Sequence, residues 1–196
     1  MKNLKTGRRG AIVALGLAAA LGFSVITPAA QAAESTVDIG SLYEPVNLDN
    51  TAGGGQGVTE ALNGNVYEGL FKLTDKGAVE NLLATKVVKT DGGLTYKITI
   101  RSGVKFHSGD AVTSADVKYS VEKVTAAASK SARKSSLKAI SSISTPDAKT
   151  VVFTLSSKSI SFVYNLSYVW IVNSANKDAA NNADGTGPYK LATWKR

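Results

Sequence analysis

Two stretches place a serine nucleophile at a spacing that could do covalent chemistry. Ser131-Ala132-Arg133-Lys134 and Ser135-Ser136-Leu137-Lys138 both read Ser-x-x-Lys, the spacing with which penicillin-recognising enzymes set a lysine beside a serine on one helical turn. That chemistry also needs a Ser-Asp-Asn and a Lys-Thr-Gly, and beyond residue 32 the chain carries neither. Ser and Lys are frequent in this stretch, so composition alone accounts for the spacing. His107 is the only histidine; a Ser-His-Asp triad would have to use it, and a metal site built on it would need carboxylate partners. No Asp/Glu spacing matches a calcium loop. The glycine run Gly53-Gly54-Gly55-Gln56-Gly57 is followed by Val58-Thr59, where a phosphate loop requires Lys-Ser or Lys-Thr, so nucleotide binding is excluded. The residue types therefore point away from an enzyme and imply neither metal nor cofactor.

The elements that position these residues are legible from periodicity. Leu94, Tyr96, Ile98 and Ile100 alternate with Thr95, Lys97, Thr99 and Arg101, which predicts a half-buried strand. Sharp breaks follow at Ser102-Gly103 and Ser108-Gly109-Asp110. A helix is expected from Ser114, with Thr113 or Ser114 as cap, Asp116 in its first turn, and Val117, Val121 and Val124 as its buried stripe. Lys86–Lys89 should form a strand and turn at Asp91-Gly92-Gly93 into the strand at 94–101. Upstream, Val58, Leu62 and Val66 predict a helix, with Tyr67 and Leu70 extending its apolar side. Short strands are expected at Ser35–Gly40, Leu137–Ser144 and Val151–Leu155, the last two joined by a turn at Pro146-Asp147-Ala148-Lys149. Ile160, Phe162, Val163 and Leu166 suggest a short helix, Tyr168–Val172 a compact apolar strand, and Asn173–Asp184 a polar loop. The Ala-, Ser- and Lys-rich residues 126–136 read as an exposed helix end and loop.

Composition narrows the setting. Lys2, Lys5, Arg8 and Arg9, then the apolar run Ala11–Phe23 and the small-x-small site Ala30-Gln31-Ala32, read as a secretory signal peptide over residues 1–32. The run is short for a membrane span. Four of the 23 basic residues and none of the 15 acidic ones fall there, leaving 19 against 15, or +4 of the original +8. The basic excess thus belongs largely to the leader, and no nucleic-acid partner is expected. The chain has no Cys, so it forms no disulfide and offers no thiol for a lipid anchor near the cleavage site.

The run Ile100-Arg101-Ser102-Gly103-Val104-Lys105-Phe106-His107-Ser108-Gly109-Asp110, followed by Thr113-Ser114-Ala115-Asp116-Val117, resembles the signature region of the family 5 extracytoplasmic solute-binding proteins of ABC importers, the dipeptide-, oligopeptide- and nickel-binding group. Val66-Tyr67-Glu68-Gly69-Leu70, Pro146-Asp147 with Thr150-Val151, and Gly185-Thr186-Gly187-Pro188-Tyr189-Lys190-Leu191 resemble further family segments. The family's usual Trp early in the strand is replaced by Leu94 or Tyr96, and the last Pro of its Pro-x-x-Leu-Asp-Pro segment is missing after Asp49.

The resemblance implies a mixed α/β fold of the type II periplasmic-binding-protein kind with an α+β small lobe, of which this chain would be the N-terminal portion, roughly the first third. The implied domains are the signal peptide at 1–32, the start of lobe I at 33–57, a small inserted α+β domain at 58–167, and a return to lobe I at 168–196. The implied function is the substrate-binding component of an importer. It would act as a monomer outside the cytoplasm, taking a peptide or similar small solute and handing it to the membrane permease of an ABC transporter. Counting back from Val66-Tyr67-Glu68-Gly69-Leu70 places Gly55, Gln56 and Gly57 where relatives line the ligand cleft, and glycine would allow a close backbone approach there. His107 falls in the strand-to-helix turn, where a local hydrogen bond is expected. The rival reading is an exported serine hydrolase using Ser131 or Ser135.

Overall fold

A computed structural model of the chain describes residues 36–53 and 55–195. The leader at 1–32, Ser35 and Gly54 lie outside the described residues, and the account below concerns the unit from Ile39 onward. Its elements run α1 (Gly55–Leu62), β1 (Phe71–Leu73), β2 (Val79–Asn81), β3 (Ala84–Thr90), β4 (Thr95–Ile100), α2 (Ser114–Thr125), β5 (Ile140–Asp147), β6 (Thr150–Leu155) and α3 (Phe162–Leu166). An antiparallel sheet in the order β3-β4-β6-β5 is the centre, and β1 and β2 form a separate small hairpin.

The alternation in β4 does what its period requires. Tyr96, Ile98 and Ile100 are buried, while Lys97 is exposed. β3 turns into β4 through Asp91–Gly93, where Asp91, Gly92 and Gly93 all take positive φ. Thr95 ties the turn by donating its hydroxyl to the Asp91 carboxylate at 2.6 Å. β6 pairs with β4 on the other side, Ile98 facing Val151 and Tyr96 facing Phe153. Phe162 of α3 packs between Tyr96 and Phe153, its ring centroid 4.7 Å from the first and 5.5 Å from the second. Each fully buried side chain of this size contributes about 1.5–3 kcal/mol through loss of apolar surface from water.

α2 lies against β5 and β6 and buries Val117, Val121 and Val124. Its cap is reciprocal with its first turn. The Asp116 carboxylate accepts from the Thr113 backbone N–H at 2.9 Å and from the Thr113 hydroxyl at 2.7 Å, so the acid sits where the helix dipole favours it. The other Asp116 oxygen accepts from the Ser174 N–H at 3.1 Å and its hydroxyl at 2.7 Å. Ser120 donates to the Asp116 carbonyl and accepts from the Val172 N–H. The first half of α2 is thereby stitched to residues 172–174.

Buried apolar residues fall into two clusters. The larger joins the sheet, α2, α3, Phe106, Val112 and Ile171. The smaller contains Leu48, Val58, Leu62, Val66, Tyr67, Trp170 and Ala183. Lys123 of α2 reaches across to Asp49 at 2.7 Å, both side chains largely buried. Burial alone would push the Asp49 carboxyl up, but hydrogen bonds from Lys123 and Thr51 outweigh it and hold the group below the usual carboxylate range. A carboxyl more acidic in the fold than in the unfolded chain stabilises above its unfolded pKa, and that contribution is lost as pH falls through the folded value. Lys123→Met is therefore expected to cost about 1 kcal/mol at neutral pH and to flatten the loss of stability below about pH 4, as read by urea melts at several pH values.

Several expected elements differ. Thr36–Gly40 forms no strand and is exposed. The first helix ends at Leu62 and does not run on to Leu70. Gly64 takes φ +75°, the chain turns back, and the Leu62 carbonyl accepts from both Val66 and Tyr67 N–H groups. Leu137 sits in a 3-10 turn, Ser135–Leu137, ahead of β5. Pro146 lies inside β5, and only Ala148-Lys149 make the turn. β5 is a border strand with a register shift between Ser144 and Asp147, the setting in which a sheet tolerates a residue without an N–H. Ile160 points into solvent. The stretch Tyr168–Val172 makes a single antiparallel bridge, Gly69 to Trp170, in place of a strand.

Candidate functional site

A cavity of about 390 Å³ opens at the start of α1 and is lined by Asn50, Gly53, Gly55, Thr59, Asn63, Lys130, Ser131, Ala132, Arg133, Tyr168 and Trp170. Three separate segments build it. Gly53 and Gly55 take φ of +83° and +74°, a conformation in which glycine brings the backbone round to the helix start without a steric penalty. Lys130 is fixed beside them by its N–H, which donates to the Thr51 carbonyl at 2.9 Å. Its stem packs on Gly53, where a Cβ would stand 3.2 Å from Lys130 Cδ.

The far wall is aromatic. Trp170 stacks on Tyr67 with centroids 5.0 Å apart and donates its indole N–H to Asn63 Oδ1 at 2.8 Å. Tyr168 lies edge-on to Tyr164, with the two hydroxyls 2.8 Å apart. That hydrogen bond, aided by slight burial and by the Tyr164 phenol itself, holds the Tyr168 phenol above its usual range, so it is neutral at physiological pH. The Arg133 guanidinium lies 3.6 Å from the Tyr168 ring centroid, a cation–π stack that orients the fork while leaving its N–H groups to bind. The wall residues bring two cations, Lys130 and Arg133, and no carboxylate. Such a site is suited to an anionic group, above all a carboxylate that Arg can grip bidentately.

Of the three glycine-run residues, Gly55 lines this cavity. Gln56 turns aside and donates to Glu60 Oε1 at 2.8 Å. Gly57 is buried under the incoming chain, where a Cβ would meet the Tyr43 carbonyl oxygen and the Glu44 carbonyl carbon at 2.7 Å; its need for glycine is a packing one. Arg133, Lys130 and Tyr168 escaped the sequence reading. They lie in a stretch read as exposed loop and in one read as a buried strand, and no local pattern links residues 35 positions apart.

The two Ser-x-x-Lys motifs also line a second concavity, a groove of about 830 Å³ between the end of α2 and β5, with Ser131 and Ala132 common to both. Neither has the geometry of a nucleophile. Ser131 Oγ accepts from the Arg133 N–H at 3.3 Å, Lys134 Nζ donates to the Ala127 carbonyl at 2.6 Å, and among the described residues each serine meets its lysine only through the backbone, the Lys134 and Lys138 N–H groups donating to the Ser131 and Ser135 carbonyls. Also among the described residues, no group of three His, Asp or Glu side chains could hold a metal ion, and no helix is long and apolar enough to cross a membrane.

Residues 78–196 match the family model described as bacterial extracellular solute-binding proteins, family 5 Middle. The chain is 30% identical to the glutathione-binding protein GsiB of Escherichia coli O1:K1 / APEC over 198 residues, covering 96% of this chain and 37% of that protein. The structure of AgaA from A. tumefaciens R10, solved with agropinic acid, superposes with a TM-score of 0.70 at 35% identity, covering 78% of this chain and 32% of the other. The oligopeptide-binding protein AppA of Bacillus subtilis, solved with a nonapeptide, gives a TM-score of 0.70 at 29% identity, covering 80% and 33%. The chain thus spans little more than a third of the length of the curated relatives it matches. A mixed sheet-and-helix lobe with the expected β4–turn–α2 unit, matched to the family model over more than half the chain, makes this a member of the bacterial extracellular solute-binding proteins of family 5.

Proposed function

We propose that this chain supplies the first part of a substrate-binding component of an ABC importer, taking up a peptide or similar small solute outside the cytoplasm and presenting it to the membrane permease. It works by binding and not by catalysis, as a monomer, after removal of the leader at 1–32. Residues 33–57 and 168–196 belong to one lobe and the α+β unit between them to the inserted domain. Two packing clusters support a two-part division, but not these boundaries: Val58, Leu62, Val66 and Tyr67 pack with Leu48 and Trp170 on the first-lobe side, and Val169 and Ile171 pack in the larger cluster. Closure of the lobes about bound solute would be the state read by the permease, with ligand contacts shifting the population.

The observation that carries this reading is the cavity at Gly55, where Lys130 and a Tyr168-stacked Arg133 stand together with no carboxylate in the wall. Solutes bearing a free carboxylate, such as short peptides and glutathione, should therefore move the backbone resonances of Gly53, Gly55, Lys130, Arg133 and Tyr168 in an NMR titration. Arg133→Ala should weaken that binding about tenfold, the loss of one charge-assisted hydrogen bond. An unchanged affinity in the variant, or perturbations confined to the groove residues Ser135, Lys138 and Ile140, would overturn the assignment. Acylation of either serine by a penicillin-type probe would favour the hydrolase instead.

A further inference from the structure

The turn after β4 meets the segment Asp184–Tyr189 through His107 and through the Asp184 carboxylate, which accepts from the Ser108 N–H. His107 donates its backbone N–H to the Gly185 carbonyl at 2.9 Å, and its ring Nε2 lies 2.8 Å from the Gly187 carbonyl oxygen. A carbonyl only accepts, so Nε2 must carry the proton. Nδ1 is then the lone-pair nitrogen, and it is sealed from solvent with no hydrogen-bond partner. The segment gripped in this way is wedged from its other side. Gly187 and Tyr189 N–H groups donate to the Val66 and Asn65 carbonyls at 2.9 and 3.0 Å. Residues 65–66 in turn follow α1 after the turn at Asn63-Gly64, and the first residue of that helix lines the cavity. His107 belongs to the turn whose neighbour Phe106 packs in the larger cluster, whereas Val66 and Ala183 pack in the smaller.

We propose that His107 is a pH-sensitive clasp: the neutral Nε2–H imidazole fastens the 185–187 segment across the two cores, and uptake of a second proton releases it. The second proton can sit only on Nδ1, where it would create a buried N–H with no acceptor, a costly arrangement that the ring relieves by moving. The carboxylates near the ring are turned to other donors, and none is hydrogen-bonded to Nδ1. Asp184 has one oxygen on the Ser108 N–H at 2.9 Å and the other on the Asn173 amide at 2.8 Å. Asp110 accepts from the same Asn173 amide and from the Ser108 hydroxyl. Glu68 accepts from the Thr186 hydroxyl at 2.8 Å, and Lys190, a cation, lines the same cavity as His107. The clasp stands apart from the solute reading and does not depend on it.

Because His107 is the sole histidine, its ring nitrogens can be followed by ¹⁵N NMR in the intact chain without ambiguity. The expected result is the Nε2–H tautomer at neutral pH, with amide hydrogen-exchange protection of Gly187 and Tyr189 falling at least about tenfold as the imidazole titrates. His107→Gln keeps a donor but cannot titrate, so its protection should stay high and independent of pH; His107→Phe should be low at all pH values. A Nδ1–H tautomer at neutral pH would overturn the proposal. So would protection in the wild-type chain that does not change across the imidazole titration. Both of these readouts use the wild-type protein alone and stand even if a variant fails to fold.

Discussion

Gly185→Ala is expected to unfold most of the chain at room temperature, costing about 4 kcal/mol or more. A Cβ at Gly185 would lie 1.9 Å from the Val66 carbonyl oxygen and 2.9 Å from the Tyr67 ring. Neither obstacle is the free end of a flexible side chain. The oxygen belongs to the backbone that accepts the Gly187 N–H, and Tyr67 is buried and stacked on Trp170. Relief would require the 185–189 segment to leave its groove, surrendering both backbone hydrogen bonds and the grip of His107. The comparison variant is Gly103→Ala. That glycine has φ +76°, and a Cβ added there would meet nothing within 4 Å, so only backbone strain of about 1 kcal/mol is at stake. Urea unfolding of the two variants should separate them by several kcal/mol. Equal midpoints would mean that the close approach at Val66 is not maintained in solution.

Asp116→Ala should be the second most damaging single change, at about 4 kcal/mol in the same measurement. The carboxylate is nearly buried, 5% exposed, and answers four donors, two from Thr113 and two from Ser174. Hydrogen bonds to a charged group are worth about 1.5–3 kcal/mol each when removal strands the donor, and those within one network do not add. Asp116→Asn tests the assignment more finely. An amide can still accept at one oxygen but turns donor atoms toward two existing donors, so it should recover part of the loss and not all. Since the Ser174 side of this network anchors the stretch that also carries Trp170, the Ala variant should additionally broaden the Trp170 indole resonance.

The β4–turn–α2 unit was legible because each of its parts is over-determined. Tyr96, Ile98 and Ile100 at period two, a hydroxyl cap at Thr113 or Ser114 with Asp116 in the first turn, and valines at helical spacing agree with one another, and the structure settles the cap on Thr113. The end of α1 was not, because Val58, Leu62 and Val66 satisfy a helical spacing that the chain meets by another route. Past Gly64 it doubles back, and Val66 reaches the same cluster from a loop. Strands of three residues such as β1 and β2 are too short to show a period, and all of Val79–Asn81 is exposed. At the cavity, the glycine run by itself read as a loop, and only counting back from Val66–Leu70 in the family resemblance pointed to Gly55, which lines it. Nothing pointed to the partners of that glycine. Arg133 finds Tyr168 only through the packing of α3 and the 3-10 turn, a tertiary event with no local signature.

The two border strands of the central sheet have a bearing on how the chain survives crowding. Unpaired strand borders invite another copy to add its own strand and so begin cross-β polymerisation. β3 carries exposed Lys86 and Lys89 along one border, so an incoming copy in register would face like charges. β5 carries Pro146 and a register shift on the other, which interrupts the row of donors an added strand would need. A chain that folds among many identical neighbours is exposed to such pairing, and this sheet discourages fibril growth at both margins.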